Sequence, residues 1–152
     1  IQSYVSGEPI DMVVTLHACD VATDAAIVQA IGWDCHILLT VPCCQHELFP
    51  KIKNDRMKVM LKHGIIKERF SALLTDSIRG QLLEACGYDV NIMEFISLEH
   101  TPKNILLRAV RADEKRVTKK SAGTAIEKCE RFLQIEPTLG RLLADKGENY
   151  KE

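Results

Sequence analysis

Two apolar runs that end in polar clusters constrain this chain most. Residues 11–17, "DMVVTLH", are continuous, apolar and rich in β-branched side chains. Residues 36–41, "HILLTV", repeat the pattern. Runs of this kind suit strands of a parallel sheet buried on both faces. Between them, residues 23–31 place Ala26, Ile27, Ala30 and Ile31 at helical spacing. Thr23 or Asp24 can cap that helix and Gly32 can end it. Strand, helix, strand is a βαβ unit with a right-handed crossover.

The rest of the chain reads as α/β. Residues 55–64 and 68–86 are predicted helices. The second carries Phe70, Leu73, Leu74, Ile78, Leu82 and Leu83 on one face. "YDVNIMEFIS" and "KNILLRAVRA" are two strands of an antiparallel hairpin. A charged stretch follows from residue 112. A helix is expected over about residues 121–134, then Pro137, then a short helix near 138–145. At 152 residues the chain can hold one real core.

Composition excludes several classes. Net charge is -1, so no global field attracts nucleic acid or an anionic membrane. Aromatics make up 5%, few for a base-stacking surface. No apolar segment approaches the roughly 18 residues a membrane helix needs, and no membrane partner is expected. Six cysteines, two of them adjacent, do not form a secreted disulfide framework. The sequence reads as cytoplasmic, with free thiols. It opens at Ile1 and reaches a core strand almost at once, which reads as a piece of a longer polypeptide.

Ligands of open α/β sheets bind beyond the carboxyl ends of the strands. There the two runs would bring together His17, Cys19 and Asp20 with Pro42, Cys43, Cys44, Gln45 and His46. On these residues, "LHACDVATD" followed by "VPCCQHEL" resembles the second half of a class I, Rossmann-like S-adenosylmethionine-dependent methyltransferase. More narrowly it resembles the methyltransferase-like family with Leu-His-x-Cys and Pro-Cys-Cys strand ends. The resemblance covers about residues 8–112. It implies a partial Rossmann-like sheet: parallel strands with helices, plus a terminal antiparallel hairpin. Residues 1–112 would be the carboxyl-terminal part of the methyltransferase domain. Residues 113–152 would be a charged linker and a helical extension.

The resemblance also implies a site. Leu16, His17, Ala18, Cys19 and Thr23 would border the cofactor S-adenosylmethionine. Asp20, with His17, would be catalytic. Pro42, Cys43, Cys44, His46, His100, Lys103 and Asn104 would face the acceptor, with Arg79 a further candidate. The acceptor would be an N or O nucleophile, on RNA first and on protein side chains second. The glycine-rich loop and the acidic residue that such enzymes carry in their first half have no counterpart here, because the glycines are isolated. The chain alone is therefore not expected to bind the cofactor normally, and its missing amino-terminal half is an expected partner. Strand 11–17 would then leave an apolar edge, across which two copies would pair or which a swapped element would cover.

Other readings attach to the same residues. A non-catalytic module could keep the scaffold and bind RNA or protein. A thiolate metal protein is a third class. No metal is expected, because the spacing is not CxxC and adjacent cysteines in a strand-like segment point to opposite faces. Cys35, Cys86 and Cys129 read as small apolar filler. Asp76 and Arg79, three apart on a helix, read as an ordinary local ion pair. The basic residues between Arg108 and Lys120 read as a solvated linker. His36 and His63 read as surface or boundary residues.

Overall fold

The computed structural model describes residues 4, 6–96, 104–112 and 119–148. Strand β1 (Met12–Leu16) leads to helix α1 (Val21–Gly32) and strand β2 (Ile37–Val41). Short helices α2 (Leu48–Lys51) and α3 (Lys58–Leu61) precede the long helix α4 (Gly64–Ala85). Strands β3 (Tyr88–Glu94) and β4 (Ile105–Arg111) follow, then helices α5 (Lys119–Leu133) and α6 (Thr138–Asp145). The helix expected over residues 55–64 is instead a 3-10 turn, Asp55–Met57, running into α3. His63 adopts extended backbone before Gly64, which separates α3 from α4.

The described strands form one sheet in the order β1-β2-β4-β3. β1 and β2 are parallel, while β4 runs antiparallel to both β2 and β3. This is the expected mixed α/β sheet with its parallel pair and terminal hairpin.

Register assigns the faces. Val13, Leu38 and Ala109 lie side by side and are buried, and Thr15, Thr40 and Leu107 form the next row. α1 packs over β1 and β2, and α4 over β3 and β4. A Cβ added at Gly80 would stand 3.1 Å from Ile92, so the small residue lets α4 sit close to β3. The Thr15 hydroxyl donates to that of Thr40 at 2.7 Å, satisfying a polar pair in the covered face.

The other face differs from expectation. β1 is not buried on both sides: Met12, Val14 and Leu16 are 50%, 53% and 65% exposed. The reason is topological. The helices packed on the sheet gather over one face, and β1 is an edge strand, so alternate side chains of an apolar run have nothing above them among the described residues.

The carboxyl-terminal helices share the main core. Ala122, Ile126, Leu133, Ile135, Leu139 and Leu143 join one cluster with Val13, Ile27, Leu38 and Leu82. α5 packs on α4, and α6 on α1. The Glu47 carboxylate accepts from the Thr138 amide at 2.9 Å and the Thr138 hydroxyl at 2.8 Å. A carboxylate at the amino end of α6 satisfies amides that have no partner within the helix. It also ties α6 to the loop after β2.

Candidate functional site

Two loops meet at the carboxyl ends of β1 and β2. The first leaves β1 through two residues with positive φ, His17 at 55° and Asp20 at 46°. Between them, the Thr23 hydroxyl donates to the Ala18 carbonyl at 2.6 Å. Thr23 is fully buried, and its hydroxyl clamps the loop. It does not cap α1 by its side chain; the capping position is Asp20. The second loop, residues 42–46, has no regular structure.

Backbone bonds join the loops. His17 N–H donates to the Val41 carbonyl at 3.3 Å, and Asp20 N–H to the Cys44 carbonyl at 3.1 Å. Glu47 N–H reaches Asp20 Oδ1 at 3.4 Å. The Sγ atoms of Cys19 and Cys43 lie 3.5 Å apart, and those of Cys43 and Cys44 3.8 Å apart. The adjacent cysteines therefore do not point to opposite faces: the chain has left the strand before Cys43, and alternation no longer applies. Burial, with the neighbouring thiols of Cys19 and Cys44, pushes the Cys43 thiol up to about 11.

Beneath the loops the expected Asp76–Arg79 pair forms, but as part of a buried ion network. Arg79 is 1% exposed. Its Nε donates to Asp24 Oδ1 at 2.7 Å, one terminal nitrogen to Asp76 Oδ1 at 2.9 Å, and the other to the Asp20 carbonyl at 2.8 Å. The side chain of Gln45 donates to Asp76 Oδ2 at 2.7 Å. Burial works against the Arg79 charge, but Asp24 and Asp76 outweigh it and raise the guanidinium pKa. Burial pushes the Asp24 carboxyl up, and Arg79 opposes that shift. Arg79 thus sits beneath the loops, bonded to the first at the Asp20 carbonyl and linked to the second through Asp76 and Gln45.

The neighbouring cleft lies between the first half of α4 and the β3–β4 hairpin, with a volume of about 590 Å3. Pro42 and Asn104, both expected on the acceptor side, line it. Gln45, read in the sequence as part of the second strand-end cluster, lines it too, and so do Arg69, Leu73 and Glu94, which the sequence did not single out as site residues. Leu73, expected in the core, is 58% exposed along this wall. Asn104 also secures the hairpin: its Nδ2 donates to the Ile96 carbonyl at 3.0 Å. His17 and His46 are exposed beside the loops, and Leu16 lies on the open face of β1. His100 and Lys103 fall outside the described residues. Cys35 and Cys86 are buried, and His36 and His63 exposed, as expected.

With this geometry in view, the family comparison is informative. Residues 2–51 match the family model of a methyltransferase domain. That segment runs from before β1 through α2 and contains both strand-end loops. The methyltransferase resemblance read from the two motifs holds over it. No curated protein and no solved structure matches the chain. Among the described residues, no helix is long and apolar enough to cross a membrane.

Proposed function

We propose that this chain supplies the acceptor-side part of an S-adenosylmethionine-dependent methyltransferase. One observation carries the reading: the methyltransferase-domain match spans the two loops that meet at the sheet's carboxyl edge. In this reading Leu16, His17, Ala18 and Cys19 border the methionine end of the cofactor, whose chemistry is to supply an electrophilic methyl group. Leu16, His17 and Cys19 are exposed and Ala18 half-buried, which suits one wall of such a site. The glycine-rich loop and acidic residue that would form the remainder are not among these residues.

The acceptor enters the cleft beside Pro42, Gln45 and Asn104. It presents an N or O nucleophile, which Asp20 orients or deprotonates. Positioning supplies most of the rate enhancement expected of such a site. RNA is the first acceptor to assay and protein side chains the second, since fold alone does not select a substrate.

The test is a calorimetric titration of S-adenosylmethionine into this chain and into the chain extended by upstream residues. Binding by the extended chain alone is the expected result. If neither binds, the catalytic reading fails and a scaffold that only binds partners replaces it.

The open face of β1 belongs to the same proposal. In this reading a second copy pairs with the free edge of β1, or a swapped element covers it. Sedimentation of the chain should show dimers, and Val14→Lys should shift them to monomers. Val14 is half exposed, so the folded stability of that variant should change by no more than about 0.5 kcal/mol. A monomeric parent chain over the whole accessible concentration range would sink the pairing.

A further inference from the structure

We propose that Cys19, Cys43 and Cys44 form a three-thiolate zinc site where the β1 and β2 loops meet. The three Sγ atoms all lie within 4.8 Å of one another, with pairs at 3.5 Å and 3.8 Å. A zinc–sulfur bond of about 2.3 Å places the sulfurs of a tetrahedron about 3.8 Å apart. The thiols thus already stand near the spacing that one zinc ion imposes.

Three further features favour a metal over chance proximity. First, the ligands come from two loops fastened independently of any ion. Asp20 N–H bonds to the Cys44 carbonyl, and the Thr23 hydroxyl to the Ala18 carbonyl. Arg79 holds the Asp20 carbonyl from below. Second, the cluster has an entry path, because Cys19 is exposed while Cys43 and Cys44 are half-buried. Third, the ligands are all sulfur, which selects a soft or borderline ion over magnesium or calcium.

Among the described residues no histidine or carboxylate completes the set. The fourth position is therefore left to water, as in zinc sites that stay open to a ligand. Binding is an acid–base exchange. Each thiol gives its proton to the buffer as its sulfur–zinc bond forms, and no electron changes hands.

The experiment uses the whole chain, reduced and stripped with a chelator. Zinc chloride is titrated in competition with a chromophoric chelator, and cadmium chloride is used to read the sulfur-to-metal absorption band. The expected result is one ion per chain with a band set by three thiolates. Cys19→Ser should keep its far-ultraviolet circular dichroism, since Cys19 is exposed, and lose stoichiometric zinc binding. Cys129→Ser, on α5, should bind as the parent does. Failure of the reduced chain to hold an ion would overturn the site. So would undiminished binding by Cys19→Ser, equal loss in Cys129→Ser, or a Cys19–Cys43 disulfide that persists in the reduced protein.

Discussion

Arg79→Ala should cost this chain about 3–5 kcal/mol of stability, the range for removing one partner of a buried ion network. The side chain is almost fully enclosed and donates to Asp24, Asp76 and the Asp20 carbonyl. Truncation would leave Asp24 and Asp76, 1% and 2% exposed, without that cation. Each would keep a desolvated carboxylate or take up a proton, and either course costs free energy. Urea denaturation would read the loss directly, and the melting temperature should fall by about 6–20 °C. Arg79→Lys should recover little, because an ammonium cannot reproduce the planar fork that spans these acceptors. The triple replacement Asp24→Asn, Asp76→Asn, Arg79→Met should recover much of the stability, since it removes the charges together. A loss below about 1 kcal/mol for Arg79→Ala would mean that water reaches the network and the hub is not structural.

The network also explains which parts of the molecule were legible in the sequence. The βαβ unit was readable because its signal is local: two apolar runs, a helical period between them, and strand-end motifs. The hairpin was readable from two strand-like segments and a short connection. The burial of Arg79 was not, because Asp76 and Arg79 at a spacing of three look the same on a solvated helix. One clue was present. Asp24 stands at the head of "AAIVQAI", and α1 proves to be buried over nearly its whole length. A carboxylate in such a helix needs a buried partner, and α4 supplies the arginine from 55 positions away. The apolar stripe assigned to α4 holds at Phe70, Leu74, Ile78, Leu82 and Leu83, which are buried or packed on the core, and fails at Leu73. The packed positions of α4 include Ser71, Thr75, Asp76 and Arg79, whereas Leu73 lines the cleft.

The exposed face of β1 was misread for a different reason. A run of apolar residues records which side chains are made to be covered, but not what covers them. The cysteine pair follows a different rule because strand alternation ends at Val41, two residues before Cys43. β2 ends at Val41, and the irregular backbone after it turns two adjacent thiols toward the same neighbour. In each case the missing information was where an element stops or what lies across from it.

Asp20 should separate structural from catalytic roles through its backbone. Its φ of 46° and ψ of -117° lie where side chains other than glycine are rarely found. Such strain costs on the order of 1–3 kcal/mol and persists only where surrounding contacts enforce it. Here they do so from three sides: Asp20 N–H to the Cys44 carbonyl, its own carbonyl to Arg79, and its carboxylate to Glu47 N–H. Asp20→Gly should therefore stabilise the fold by about 1 kcal/mol or more, after the weak 3.4 Å bond to Glu47 is lost. Asp20→Asn, which tolerates positive φ, should leave stability nearly unchanged. Under the proposed function, both variants should lose roughly 10²–10⁴-fold in methyl-transfer turnover when the chain is extended by its upstream residues, with acceptor affinity nearly intact, the size expected for a lost general base. A residue kept only for the turn would behave otherwise: glycine would serve as well or better, and turnover would survive both replacements. Loss of turnover from a variant that folds more stably than its parent would identify the strain at Asp20 as one the loop carries for its chemistry.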